Sequence, residues 1–323
     1  MSREHDPRWH DPERPDPGRG SRAPVDPRDP HAGDARDVFA RDLDLPRGPA
    51  RERVVHRDRV YTLRGSEVRT LATVGAFRVV PASDLRDAAD RPAQARDGDL
   101  RSLREQGLVH TVPLVTRGER TNIVTLTREG RAVLEQARRP ERDEGGQTFY
   151  AGAMKPRELA HDAQAYRAYE QAAARIASRG GQVRRVVLDY ELKRDYQRFR
   201  QAPERQRRRD AHDADRAAAD ATAWAHAHQL PVDDGHVQFP DVRIEYDDRD
   251  GRREIEDIEI MTPHYRGAQA AAKARAGFTE YRAAGARVGG RRGRGAGGGV
   301  ARSGSGRRAG RGCDPRLAEE LQR

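Results

Sequence analysis

Two runs of alternating apolar and polar residues, separated by a short turn, constrain the fold of this chain more than any other feature. The first run covers 236–246 and breaks phase once, at Pro240. The second run covers 254–261, and the turn between them contains Gly251, which can adopt a positive φ. Alternation with a period of two is typical of half-buried strands, so these runs predict a β-hairpin.

The overall composition limits the size of the core and indicates a class of partner. Of 323 residues, 35% are charged and 35% are hydrophobic, and the mean hydropathy is −1.00. A chain this polar is expected to form modest domains that are joined and flanked by disordered segments. Its net charge of +10 and pI near 10.2 favour nucleic acid as a partner, because a basic surface attracts polyanions.

Cysteine content and hydropathy bear on the compartment. Cys313 is the single cysteine, which excludes a disulfide within the chain and a Cys-rich zinc site. No apolar run approaches the roughly 20 residues needed to span a bilayer, and the first residues are rich in Pro, Asp and Arg. We therefore expect a cytoplasmic protein with no membrane partner.

Low-complexity segments divide the chain. Repeated Asp-Pro pairs predict a disordered arm over 1–57, since proline disfavours helix at the preceding residue. A polar, Gly-containing stretch over 140–154 is interpreted as a linker, and the Gly/Arg-rich residues 286–323 as a flexible basic tail. The two domains expected between these segments cover 58–139 and 155–285.

The first domain has the element order helix, helix, helix, strand, basic turn, strand, helix. A helix capped by Ser66 is expected to end or loosen at Gly75, and a short helix containing Leu85 to follow it. Strands are predicted over 108–115 and 123–126, and the last helix is expected to start after the capping residue Thr127. The third helix, with Leu100 and Leu103 on one face, is expected to end at Gly107.

Two sequence strings in this domain resemble MarR-type winged helix-turn-helix domains. They are Leu103-Arg-Glu-Gln-Gly-Leu-Val and Leu126-Thr-Arg-Glu-Gly-Arg. The resemblance implies that the helix after the turn enters the DNA major groove while arginines of the wing contact the backbone. The DNA-binding residues it implies are Arg96, Arg101, Arg104, Arg117 and Arg120. The alternative is that these arginines only solvate a winged helix that binds protein.

The second domain combines helices with the hairpin. A small mixed sheet of the α+β or α/β class is therefore expected. The predicted elements are a helix over 155–179, a strand over 183–188, helices over 190–199 and 217–228, the hairpin, and a helix over 267–284.

Acidic residues of the hairpin suggest a metal site. Asp241 and Glu259 lie on adjacent predicted strands, and Lys273 lies on the helix that follows. Two carboxylates and an amine can hold Mg²⁺ against a phosphodiester and stabilise charge in the transition state. Asp257 should face the same side as Glu259 and serve as a rival or additional ligand, and Glu191 is a candidate third carboxylate.

The string Pro240-Asp241 together with Glu259 resembles the PD-(D/E)xK nuclease superfamily. The lysine expected two residues after Glu259 is replaced by Met261, and Lys273 would have to fill that role. If Lys273 does not, the resemblance implies a kept fold and a lost activity. The pair His161-Asp162 is interpreted as a helix surface rather than a metal site.

The order of the two domains resembles the replication-relaxation family, which occurs on plasmids and other mobile elements. The resemblance implies a DNA-binding protein with a Mg²⁺-dependent nuclease-like domain. It would nick or cleave DNA in replication or conjugative transfer, with replication or conjugation proteins as further partners. Two alternatives stay open: a MarR-like transcriptional regulator with an inactive nuclease fold, and an adaptor of a relaxase complex.

Overall fold

The computed structural model shows a mixed α+β protein, as the sequence predicts. It describes residues 37–87, 89, 91–94, 96–116, 119–139, 146–152, 156–202, 214–261, 272–273 and 275–282. The helices are α1 (Asp37–Ala40), α2 (Gly65–Phe77), α3 (Gly98–Glu105), α4 (Arg128–Gln136), α5 (Pro156–Ser178), α6 (Asp189–Gln201) and α7 (Ala214–Ala227). The strands are β1 (Glu52–His56), β2 (Arg59–Leu63), β3 (Val80–Pro81), β4 (Val109–Thr116), β5 (Glu119–Leu126), β6 (Gln182–Leu188), β7 (Val232–Asp233), β8 (His236–Val237), β9 (Val242–Asp247), β10 (Arg253–Met261) and β11 (Thr279–Arg282).

Helix α2 is buried on all sides. Glu67 caps its first turn by accepting the backbone N–H of Arg64 at 3.0 Å, and Arg51 neutralises this buried carboxylate at 2.7 Å. The predicted end at Gly75 is wrong, because the helix continues to Phe77. A Cβ at residue 75 would lie 2.8 Å from the Phe149 ring, so glycine here permits close packing rather than a helix end.

A three-stranded antiparallel sheet with the order β3-β5-β4 packs beside α2, α3 and α4. The expected strands and the capping role of Thr127, whose Oγ1 accepts the Gly130 N–H at 2.9 Å, are confirmed. Gly107 follows α3 with φ 73°, as predicted. The short helix expected around Leu85 is instead a single 3₁₀ turn over Ala82–Asp84.

The predicted disordered arm is wrong for residues 37–57. These residues form α1 and β1, and β1 pairs with β2 in an antiparallel hairpin. Apolar residues are sparse among the charged ones in this segment, so the sequence did not indicate that Phe39 and Leu43 pack in the core. Residues 1–36 and the predicted tail 286–323 lie outside the described residues.

Helix α5 joins the two predicted domains through one continuous core. Its Tyr166 and Tyr169 pack on the Phe77 ring, with centroids 5.2 Å apart in both pairs, and Tyr169 also lies 5.2 Å from Phe39. Aromatic pairs at these distances stabilise a core beyond the area they bury. The opposite side of α5 contacts β6, β9 and β10.

A second sheet has the order β6-β9-β10-β11, with β10 and β11 parallel and the other pairs antiparallel. Its two faces differ as the alternation predicts. Ile258 and Ile260 point to the α5 side, whereas Val187 packs with Leu192 and Trp224 beneath α6 and α7. The hairpin is confirmed, and the break at Pro240 separates β8 from β9.

The helix predicted over 267–284 is too long. Residues 272–273 and 275 are helical, Gly277 has φ 77°, and β11 occupies the last predicted turn. Phe278 and Tyr281 are buried as expected, but from a loop and a strand. The helical spacing of Phe278 and Tyr281 was misleading, because Gly277 with its positive φ ends the helical segment before them.

Side chains of the N-terminal part cover the outer edge of β6. Gln147 accepts the Val186 N–H at 2.9 Å and donates to the Val186 carbonyl at 2.9 Å, while Arg41 donates to the Arg184 carbonyl at 3.0 Å. The predicted linker 140–154 thus contributes a buried amide and the buried rings of Phe149 and Tyr150. An uncovered edge would expose these backbone groups to other chains.

Replacing Gln147 with alanine should lower the free energy of unfolding by about 2–3 kcal/mol, because two buried backbone groups of Val186 lose their partners. Urea unfolding measures the change. The control is Gln182→Ala at the exposed start of β6, which should change stability by less than about 0.5 kcal/mol. Equal effects of the two substitutions would contradict the edge-covering role.

Candidate functional site

The candidate site lies at one end of the four-stranded sheet, where β6 and β10 finish and β9 starts. Asp241 precedes β9; its N–H donates to the Ile258 carbonyl at 3.0 Å, and its Oδ2 accepts the Ile260 N–H at 2.8 Å. Both neighbours of Glu259 along β10 therefore bond to Asp241, so Asp241 lies against β10 near Glu259.

Glu259 forms a buried ion pair with Lys273. The carboxylate Oε2 accepts from Lys273 Nζ at 2.8 Å, and the side chains are 4% and 13% exposed, respectively. Lys273 also donates to the Phe239 carbonyl and lies 5.3 Å over the Phe278 ring. A buried pair of this kind is costly to desolvate, and the additional contacts of the amine offset part of that cost.

His161 links α5 to Asp241. Its Nε2 lies 3.3 Å from Asp241 Oδ2, and its Nδ1 lies 3.2 Å from Asp162 Oδ1. Burial would lower the pKa of His161, but the hydrogen bonds and charges of Asp162 and Asp241 raise it to about 10. The imidazole is therefore a cation at neutral pH.

The same contacts keep Asp241 ionised. Burial opposes the charged form of its carboxylate, but the hydrogen bond and charge of His161, the Ile260 amide and the charge of Lys273 hold the pKa of Asp241 below its usual value. The arrangement therefore keeps an anionic oxygen ligand, a buried glutamate and two cations together at the sheet end.

Two of the predicted carboxylates have other partners. Both oxygens of Asp257 accept from Arg243, at 2.7 and 2.8 Å, and Arg243 also donates to the carbonyls of His228 and Gln229. Glu191 accepts the Tyr150 hydroxyl at 3.0 Å. Asp257 therefore joins β9 and β10 to the end of α7, and Glu191 joins α6 to the segment before α5.

The structure brings two of the predicted metal ligands to this end of the sheet. Among the described residues, no group of three or more His, Cys, Asp or Glu side chains could hold an ion, so Glu191 does not complete a site with Asp241 and Glu259. Mg²⁺ nevertheless needs only one or two carboxylates when waters and a substrate phosphate fill the other positions. Asp241 and Glu259 would supply such carboxylates.

The predicted DNA-binding arginines are only partly described. Arg96 and Arg101 are exposed, and Arg101 pairs with Glu105 at 2.7 Å across one turn of α3. Arg104, also on α3, is half-buried. Arg117 and the side chain of Arg120 lie outside the described residues.

The prediction that His161-Asp162 forms only a helix surface is wrong for His161. Its contact with Asp241 crosses from α5 to the start of β9, and the sequence gives no local sign of that approach.

None of the helices in the described ranges is long and apolar enough to cross a membrane. Comparison of the chain with family models, curated proteins and solved structures finds no match. The geometry at the sheet end is therefore the basis for assigning a function.

The raised pKa of His161 predicts a pH-dependent contribution to stability. The protonated imidazole is favoured in the folded state, so its contribution is complete below the ordinary pKa of 6.5 and is lost as pH rises through about 10. The stability difference between the wild-type protein and His161→Gln should therefore shrink between pH 6.5 and pH 10. Urea unfolding at several pH values measures it, and a difference independent of pH would contradict the ion pairs.

Proposed function

We propose that the chain is a DNA-binding protein whose second sheet carries a Mg²⁺-dependent site for cleaving or nicking DNA. The observation that carries the proposal is the 2.8 Å contact between Lys273 Nζ and Glu259 Oε2, on the strand whose Ile258 and Ile260 both bond to Asp241. Lys273 comes from the helical segment after β10, so an amine reaches the carboxylates even though Met261 occupies the usual lysine position.

Each residue has a distinct role in this proposal. Asp241 and Glu259 would hold Mg²⁺, which supplies charge stabilisation at the phosphate and lowers the pKa of a bound water. Lys273 would stabilise the negative charge that develops on the scissile phosphate. His161 would orient Asp241 through the 3.3 Å contact to its Oδ2.

The sheet topology supports the resemblance to PD-(D/E)xK nucleases. Helix α5 precedes three antiparallel strands, and β11 then adds parallel to β10 after the segment that contains Lys273. Asp241 directly precedes the central strand β9, and Glu259 lies on the neighbouring strand β10.

The N-terminal part supports DNA docking. Helices α2 and α3, the hairpin β4–β5 and helix α4 follow the order expected for a winged helix, except that a 3₁₀ turn stands where the second of its three first helices is expected. Arg96 and Arg101 are exposed next to or on α3, where a recognition helix would meet phosphates. The net charge of +10 favours the same partner.

A non-enzymatic role is the second candidate. Asp241 Oδ2 already has two donors, and Glu259 is 3% exposed, so the carboxylates are largely satisfied within the protein. Together with Met261, these contacts favour a regulator or relaxase-complex adaptor that keeps the fold without the chemistry.

Asp241→Asn should reduce Mg²⁺-dependent nicking of supercoiled plasmid by about 100-fold or more, because the site loses an anionic ligand and charge stabilisation. The matched control is Asp250→Asn, an exposed aspartate in the turn at the other end of the same strands, which should leave nicking unchanged. Thermal unfolding checks that both variants fold.

Three outcomes separate the candidates. Nicking that needs Mg²⁺, stops with EDTA and fails in Asp241→Asn supports the nuclease. Nicking that persists in Asp241→Asn rejects the assigned site. DNA binding without any nicking by the wild-type protein favours the regulator or adaptor.

Arg101 and Glu105 form an ion pair on α3 and should affect DNA affinity in opposite directions. Arg101→Gln removes a cation facing phosphates, so affinity should fall and the slope of log K against log salt should decrease by about 1. Glu105→Gln removes the competing carboxylate, so affinity should rise. Electrophoretic shift across salt concentrations measures both, and equal shifts in one direction would contradict DNA contact by α3.

A further inference from the structure

A cation and an exposed aromatic ring lie near Asp241 and have no role in the proposed cleavage. Arg78 follows α2, and its guanidinium carbon lies 5.2 Å from the centroid of the Tyr190 ring. Tyr190 is 50% exposed, which is unusual for a large aromatic side chain, and it lies in the first turn of α6.

Two series of contacts connect Arg78 and Tyr190 to Asp241. On one side, Arg78 Nη1 lies 3.6 Å from Asp162 Oδ2, and Asp162 contacts His161, which contacts Asp241. On the other side, the N–H of Asp189, the neighbour of Tyr190 in the chain, donates to the Asp241 carbonyl at 3.2 Å. Arg78 is therefore linked to Asp241 through Asp162 and His161, and Tyr190 is linked to Asp241 through the backbone of Asp189.

The backbone at Arg78 is strained. It has φ 64° and ψ −48°, and the Val79 N–H donates to the Phe77 carbonyl at 2.6 Å, which makes the rarer, positive-φ form of the γ-turn. Glycine adopts such a φ far more easily than arginine does. Strained non-glycine residues persist where the surrounding structure holds them, and they concentrate at functional sites.

The Tyr150 ring and Arg78 fix the orientation of Tyr190. The Tyr150 ring stands nearly perpendicular to it, at 86° and 6.0 Å, and the Tyr150 hydroxyl is held by Glu191 at 3.0 Å. A ring that is held by Tyr150 and Arg78 but remains half exposed is suited to stack on a flat group from solvent.

We propose that Tyr190 and Arg78 form a stacking platform for an unpaired base of the DNA substrate. Tyr190 would stack on the base, and Arg78 would contact the adjoining phosphate. A base in an intact duplex cannot stack on a protein ring without leaving its neighbours. The substrate class is therefore DNA with a single-stranded segment, such as an overhang, rather than blunt duplex. This inference rests on the proposed function, because it assumes that DNA reaches the sheet end.

The test measures binding in EDTA, so that cleavage plays no part. The probes are a blunt duplex and the same duplex extended by a single-stranded overhang that carries 2-aminopurine, whose fluorescence falls on stacking. The wild-type protein should bind the overhang probe more tightly and quench it. Tyr190→Leu should weaken overhang binding by about tenfold or more and abolish the quench, with blunt-duplex binding unchanged.

Three variants separate stacking from general damage. Tyr190→Phe keeps the ring and should retain the preference for the overhang. Tyr246→Leu changes a tyrosine at the far end of β9 and should also retain it. Arg78→Gly relieves the backbone strain, so it should unfold at the same temperature as the wild-type protein or higher, yet bind the overhang probe more weakly.

The outcomes distinguish this inference from the proposed function. If the wild-type protein nicks plasmid but does not prefer the overhang, or if Tyr190→Leu keeps the preference, the platform is rejected and the nuclease stands. If the wild-type protein neither binds nor cleaves any DNA probe, both proposals are rejected.

Discussion

The rest of the structure depends on the packing of aromatic side chains where α5 meets α2 and α1. Tyr166 and Tyr169 of α5 meet Phe77 of α2 and Phe39 of α1, while the other side of α5 rests on the second sheet. Because α5 is held from both directions, its first turns are fixed over the end of the sheet. The position of His161 beside Asp241 is a consequence of that packing rather than of any local preference.

Strand register determines the rest of the candidate site. The antiparallel pairing of β9 with β10 ends at Val242 and Ile258 and so brings Asp241 against Ile258 and Ile260, and a shift of one residue would turn Glu259 to the α5 side of the sheet. Ile258 and Ile260 prevent that shift, since their burial against the core would be lost. The buried apolar residues therefore position the polar ones. Much of the free energy that holds the site in place comes from residues that have no proposed chemical role.

How much could be predicted from the sequence depended on how far apart in the chain the interacting residues lie. The hairpin, the Thr127 cap and the positive φ of Gly107 depend on neighbours within a few residues, so the pattern alone predicted them. The contact between Lys273 and Glu259 could also be predicted, because the two residues flank one short connection. The contacts of His161 and Gln147 were missed because they join segments far apart in the chain, and neither contact alters local periodicity or composition.

The glutamine that covers the edge of β6 has a consequence for assembly. Strand addition, in which a partner donates an extended segment to an exposed sheet edge, needs free backbone donors and acceptors. Val186 offers neither, because the side chain of Gln147 already bonds to its N–H and to its carbonyl, as the backbone of a fifth strand would. A partner that joined the sheet on this side would first have to displace the segment around Phe149, whose ring is buried against Gly75. Recruitment of other proteins is therefore expected to use surfaces other than this one.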